Sequence, residues 1–297
     1  MESVLKTRGI VKKYGNNTVL NGINMNINKG DIYGFIGKNG AGKTTFMRVV
    51  LSLTTKTNGE VSFFDGKRIE EVGLRVGSLI EAPGLYKNAS AYENLKRFAI
   101  IYGAPDSQIN ELLELVGLGN TGKRKVKNFS LGMKQRLGIA IALLGEPEFL
   151  LLDEPINGLD PEGIKEIRDV ILKLNKEKNI TFLISSHLLD ELSKVVTRYG
   201  IINKGELIEE IEAKELKNKC KNKLIIECSD NDKAKKILAK DINEKDLIIR
   251  SNKLEIHSKI EESAKINTKL VKAGIDVSAI YPNFDSLEEY FMKRIGD

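Results

Sequence analysis

An α/β fold with a parallel sheet covered on both faces, followed by a smaller α+β domain, is the class this sequence predicts. Three observations predict it. Short continuous apolar runs at Ile32–Ile36, Phe149–Leu152, Ile180–Ile184 and Tyr199–Ile202 alternate with helical patterns, as buried parallel strands do. Gly37-Lys38-Asn39-Gly40-Ala41-Gly42-Lys43-Thr44-Thr45 is a G-x-x-x-x-G-K-[ST] loop between one of those runs and an apolar helix start at Phe46–Leu51. Composition shifts near Ala213, where a lysine-rich, apolar-poor stretch to Lys223 reads as a connecting helix or linker.

In chain order, Val4–Val11 and Val19–Ile27 alternate apolar and polar residues about Gly15-Asn16-Asn17, predicting an antiparallel sheet beside the nucleotide strand. From Ala89 to about Gly145 the spacing turns helical, over Ala91–Ala99, Ile109–Val116 and Met133–Leu144, with Ser90 and Ser130 at N-cap positions. This is a helical subdomain (about 89–145) within a first domain, 1–212. The second domain, 213–297, reads as strand 223–228, helix 231–240, strands 246–250 and 253–257 about a Ser251-Asn252 turn, helix 260–273, strand 275–281 and helix 286–295. The βαββαβ order is that of a ferredoxin-like unit. No internal repeat is present.

In the loop, glycines let successive N–H groups turn inward around phosphates, and the helix N-terminus adds its positive end. Gly37, Asn39, Gly40 and Gly42 shape that cradle, Lys43 meets the terminal phosphates, and Thr44, followed by Thr45, places a hydroxyl for Mg²⁺. The chemistry is completed by Phe149–Leu152 ending in Asp153-Glu154. A buried strand closing on two acids can hold Asp153 at a metal and aim Glu154 at water as general base. The competing reading is an acidic turn. Of the two histidines, His187 ends a parallel strand, where ligands gather; His257 reads as structural. Cys220 and Cys228 have neither metal nor disulfide spacing and read as packing residues.

Asn128-Phe129-Ser130-Leu131-Gly132-Met133-Lys134-Gln135-Arg136 is the most diagnostic segment. With the phosphate loop, Asp153-Glu154, Gly158-Leu159-Asp160 and His187, it makes residues 3–210 resemble the ATP-binding cassette (ABC) family of transporter ATPases. That resemblance implies ATP and Mg²⁺ as ligands. It also implies a head-to-tail pair of such domains, either two copies or a close paralogue, with Ser130 and Gly132 reaching the partner's γ-phosphate. Asp160 would lie across the dimer interface and His187 would hold the γ-phosphate. Tyr14 takes the place of an aromatic that stacks on adenine; packing in the core is the alternative.

Two departures stand out. Leu131 and Met133 replace residues of the usual Leu-Ser-Gly-Gly-Gln signature. In Gly77–Tyr86, Glu81 replaces a glutamine that senses Mg²⁺ and faces the membrane subunit, keeping an oxygen donor but adding charge. A surface acid is the alternative. Ile80-Glu81-Ala82-Pro83 and the altered signature resemble the branch of bacitracin exporters and lantibiotic-immunity transporters. The implied function is the ATPase of a separate integral-membrane permease, exporting an antimicrobial peptide or similar amphiphile.

With 297 residues, 41% hydrophobic and 30% charged, the chain has enough apolar content for a sizeable core. No run reaches the ~18 apolar residues of a membrane span, and Met1–Lys6 has no signal-peptide character. The expected location is cytoplasmic, peripheral on the membrane's inner face through the permease. The net charge of +6 comes from lysines dispersed among acids, a solvated pattern without nucleic-acid motifs. Competing functions are an exporter of an ion, lipid or polysaccharide, a soluble cassette ATPase acting on ribosomes or DNA, and an ATP-binding regulatory module without hydrolysis. The last has no need of Glu154.

Overall fold

The computed structural model describes residues 2–219, 222–284 and 287–295. They form two compact units, Met1–Ala213 and Lys214–Asp297. In the first, β1 (Ser3–Tyr14) and β2 (Asn17–Asn28) are a long antiparallel hairpin whose alternation is broken by register shifts, so that adjacent Val4 and Leu5 are both buried. β3 (Ile32–Ile36) is buried at every residue and leads through the glycine loop into α1 (Lys43–Val50). β4 (Asn58–Phe63) pairs with β1, completing a sheet of order β2-β1-β4. After α2 (Ile69–Val72) come β5 (Val76–Leu79) and three subdomain helices: α3 (Ala91–Tyr102), α4 (Asp106–Leu115) and α5 (Leu131–Ala142). Ser90 caps α3 in a reciprocal box with Glu93, and Ser130 caps α5 through Met133 N–H.

The chain then alternates β6 (Phe149–Asp153), α6 (Pro161–Lys178), β7 (Thr181–Ser186), α7 (Leu189–Leu192), β8 (Arg198–Asn203) and β9 (Glu206–Glu212). The sheet order is β5-β6-β7-β3-β8-β9, parallel except for the last strand. α1 lies between the two sheets. Phe46 and Met47 are fully buried there among Leu5, Ile10 and Ile23 on one side and Phe35, Phe149 and Leu151 on the other. The Phe35 and Phe46 rings are tilted with centroids 5.2 Å apart. Burying each such ring contributes about 2–3 kcal/mol, which fixes the first turn of α1 against both sheets.

At the other end of the parallel sheet, Arg75 Nε donates to Glu148 Oε1 at 2.6 Å, joining the residues that lead into β5 and β6. This bond holds the Glu148 carboxyl below the usual carboxylate range. A folded-state value below the unfolded one means stability that is present above about pH 4.5 and lost as pH falls through the folded value. The carboxylate is 40% exposed, so screening limits the pair to about 1 kcal/mol or less. Glu148→Gln is expected to lose that much near neutral pH and to match the parent well below pH 4, as checked by urea unfolding at both pH values.

α8 (Ala213–Lys219) starts at the last residue of the first unit, and its remaining residues open the second. The second unit continues with β10 (Asn222–Cys228), α9 (Asn231–Leu238), β11 (Leu247–Arg250), β12 (Lys253–Ile256), α10 (Ser263–Lys272), β13 (Val277–Phe284) and α11 (Leu287–Ile295). Its all-antiparallel sheet has order β11-β12-β10-β13, the ferredoxin-like arrangement. Its core gathers Leu224, Ile226, Leu238, Leu254, Ile256 and Leu270. The last strand extends through Pro282, opposite Leu224, beyond the expected end at 281. Proline is tolerated there because β13 is an edge strand. His257 lies 3.4 Å from Glu255 in this unit. Cys228 bonds Asn231, as a packing residue can; Cys220 lies outside the described residues, as does residue 286 of the last expected helix.

Candidate nucleotide site

The neighbouring strands β6, β7 and β3 deliver the site, because a parallel sheet gathers its strand ends on one side. Asp153 is in register with Ser185, and Ser186 with Ile36, so the two acids, His187 and the glycine loop emerge side by side. Gly42 has φ +110°, and a Cβ there would meet Leu20 Cδ2 at 2.9 Å. At Gly37 a Cβ would lie 2.6 Å from the Ile202 carbonyl. Neither position admits a side chain, so the loop closes tightly before α1. Lys38, Asn39 and Gly40 are exposed at its tip; Thr44 and Thr45 are half-buried.

The Lys43 side chain turns back into this loop. Its ammonium donates to the Gly37 carbonyl at 2.7 Å and lies 3.2 Å from Glu154 Oε1. The other Glu154 oxygen is 2.8 Å from His187 Nδ1. Glu154 N–H donates to Ser185 Oγ at 2.9 Å, and the residue's φ of +49° is in the left-handed region. That conformation costs a non-glycine residue energy, which this network holds in place. Buried Asp153 accepts from Thr44 at 2.8 Å and from Ser185 at 2.5 Å.

The Thr44 and Asp153 oxygens are the donors a hard cation prefers. Among the described residues no group of three or more His, Cys, Asp or Glu is arranged to hold a metal. Mg²⁺ commonly uses one or two carboxylates together with substrate phosphates.

Tyr14 ends β1 and is 50% exposed, with Lys12 Nζ 4.5 Å from its ring centroid. The core-packing alternative for Tyr14 is therefore not met: its side chain stays half open to solvent at the end of the strand. Ser130 is exposed and caps α5. Gly132 is buried; a Cβ there would be 3.6 Å from Gly163 Cα, where α5 packs on α6. Asp160 caps α6, accepting from Gly163 N–H at 3.1 Å. Leu131 is 47% exposed, yet its Cδ2 approaches Gly158. The signature and the Gly158–Asp160 segment thus share one surface.

The Glu81 carboxylate pairs with Arg48 at 2.6 Å, and Thr44 donates to Asp153. Arg48 and Ser185 are the residues the sequence does not announce. Ser185 had one signal, its place just before His187 at the end of an apolar run. Arg48 had none.

Comparison with known proteins places this geometry in a family. A family profile described as ABC transporter matches residues 20–157. The chain is 44% identical to the bacitracin transport ATP-binding protein BcrA of Bacillus licheniformis, over 100% of this chain and 98% of that protein. It is 50% identical to the lantibiotic transport ATP-binding protein SrtF of Streptococcus pyogenes, over 70% of this chain and 91% of the relative. Among solved structures, the ATP-binding cassette MJ0796, a dimer in a post-hydrolysis state bound to ADP and Pi, aligns with TM-score 0.62 and 25% identity. The match covers 70% of this chain and 98% of that one. A phosphate loop closed on α1, two acids ending β6 and a signature capping α5 are combined here with similarity along the whole length. The chain belongs to the ABC transporter ATP-binding proteins and is an ATPase of that family.

Proposed function

We propose that this chain powers a separate membrane permease that exports an antimicrobial peptide or a similar amphiphile, conferring resistance or immunity. The observation carrying the catalytic half is the Glu154 carboxylate held between Lys43 and His187 at the strand ends. The full-length similarity to BcrA and the similarity to SrtF support the transported class. No helix among the described residues is long and apolar enough to cross a membrane, in keeping with a permease on another chain. The working location is the cytoplasmic face of that permease.

In this reading the α1 N-terminus and Lys43 bind the ATP phosphates, and the Tyr14 ring stacks on adenine. Thr44 and Asp153 hold Mg²⁺, which supplies charge neutralisation at the phosphates when bound. Glu154 takes a proton from the attacking water as its oxygen adds to the γ-phosphorus and ADP leaves. His187 orients Glu154. Its Nδ1–H donates to the carboxylate, so only an imidazolium can also donate from Nε2 to the γ-phosphate. The second unit serves as an accessory domain outside this chemistry.

Ser130 and Gly132 act on the ATP of a second cassette, for which exposed Ser130 and the dimeric cassette MJ0796 give support. Ser130→Asp tests this, because aspartate keeps the α5 cap while setting a carboxylate against phosphate. It is expected to bind ATP as a monomer yet fail to dimerise on it. Ser130→Ala, which loses about 0.5–2 kcal/mol of capping, should still dimerise in part. Sizing chromatography with ATP reads both, and normal dimerisation of Ser130→Asp refutes the trans role. For the transport half, cells carrying the permease should lose tolerance of the exported peptide when this chain is deleted. Unchanged tolerance across bacitracin and lantibiotic challenge would overturn the proposed substrate class.

A further inference from the structure

We propose that Arg48 is a positioning residue for Glu81, neutralising the carboxylate at that position and competing with the metal site for it. This rests on the reading of Thr44 and Asp153 as metal-binding residues. Arg48 Nη2 lies 2.6 Å from Glu81 Oε1. It stands one helical turn beyond Thr44 on α1, so residues 44 and 48 share a face. Glu81 follows β5, whose Leu79 is in register with Leu152 of β6, one residue before Asp153. The strand ends therefore bring residue 81 to the side of the sheet that carries Asp153 and Glu154.

An amide at position 81 would need no counter-charge. A carboxylate entering this group of acids, with polyphosphate added, meets like-charge repulsion. Arg48 offsets that charge. The pair is open to water, 41% and 59% exposed, so it is weak and exchangeable. A divalent cation held by Thr44 and Asp153 would compete with Arg48 for this carboxylate. Glu81 also has φ +63°, a conformation that fixes the direction in which its side chain leaves the backbone. Two residues on, Pro83 is packed so closely on α5 that a Cβ on Gly138 would lie 2.9 Å from its ring. The segment that carries Glu81 thus rests on the helix that Ser130 caps.

The alternative is that Arg48 serves only α1, as a cation in its last turn. A double-mutant cycle separates the two. Mn²⁺ is titrated by electron paramagnetic resonance into full-length protein with ATP, in the Glu154→Gln background so that turnover does not intrude. Arg48→Ala frees Glu81 and is expected to tighten half-saturation about three- to fivefold, the range of an exposed ion pair. In a Glu81→Gln background Arg48→Ala should shift nothing, and Arg48→Lys should keep most of the parent behaviour. An equal shift in both backgrounds, or none with Glu81 present, overturns the proposal. Asp153→Asn is the control for the underlying reading: if it leaves Mn²⁺ binding intact, the metal site itself is misplaced. Arg48 is partly exposed, so its variants are expected to fold, as circular dichroism would verify.

Discussion

Replacing Glu154 with Gln is expected to lower phosphate release about 10²- to 10⁴-fold while ATP stays bound, the range of a lost general base. Gln matches Glu in size, and one bond that helps hold the residue's left-handed φ, from its N–H to Ser185, does not involve the lost charge. What disappears is an oxygen basic enough to accept a proton. Removing a negative charge beside the phosphates also favours retention of ATP. Filter binding and steady-state phosphate release read the two effects separately. His187→Ala should act through the same carboxylate, since Nδ1 bonds it at 2.8 Å. The double variant is therefore expected to fall little below Glu154→Gln alone, because residues acting as a unit are not additive. A Glu154→Gln protein turning over at the parent rate would remove Glu154 from the role of base.

The elements that were legible before the structure are those whose own residues carry the signal. β3, β6 and β7 are continuous apolar runs because helices or sheet cover both faces. Ser90 and Ser130 are recognisable caps because their hydroxyls serve N–H groups only three residues away. β5 is Val76-Gly77-Ser78-Leu79, too short and polar to read as a buried strand. Its glycine is there because a Cβ would lie 2.3 Å from the Ala142 carbonyl, a tertiary demand with no local trace. β4 includes Gly59, whose Cβ would strike the Gly9 backbone at 2.4 Å. Acid-rich β9 has no apolar run to mark it, since an antiparallel edge strand can keep half its side chains in water.

The site follows the same division. Gly37–Thr45 and Asp153-Glu154 are contiguous and legible as chemistry. Their mutual arrangement depends on β6, β7 and β3 being neighbours, an order that is not the chain order. Ser185 becomes a partner of Asp153 only through that adjacency. The Arg48–Glu81 pair spans 33 residues of sequence and two different elements. Nothing near Glu81 in the chain marks where its counter-charge comes from.

Lys43→Ala is expected to weaken ATP binding by about 10²-fold or more, the scale of removing one partner from a desolvated charged contact. The Lys43 ammonium is almost completely buried, between the loop's own carbonyls and Glu154. That placement makes two separate losses. The Gly37 and Lys38 carbonyls lose a donor, which costs the fold about 1–3 kcal/mol at most if water does not replace it. Glu154 loses its cation just where the phosphates bring further negative charge, so the site repels what it should bind. Thermal unfolding separates the two, since a ligand that binds only the native state stabilises it by RT ln(1 + [L]/Kd) and so raises the midpoint. Without nucleotide, Lys43→Ala should melt somewhat below the parent; with saturating ATP and Mg²⁺ only the parent midpoint should rise. Lys43→Arg keeps the charge but brings a planar fork into a cradle shaped around a compact ammonium, so it should fall between them. An ATP-induced rise in Lys43→Ala equal to the parent's would mean that the phosphates are held by the loop amides and the α1 N-terminus alone.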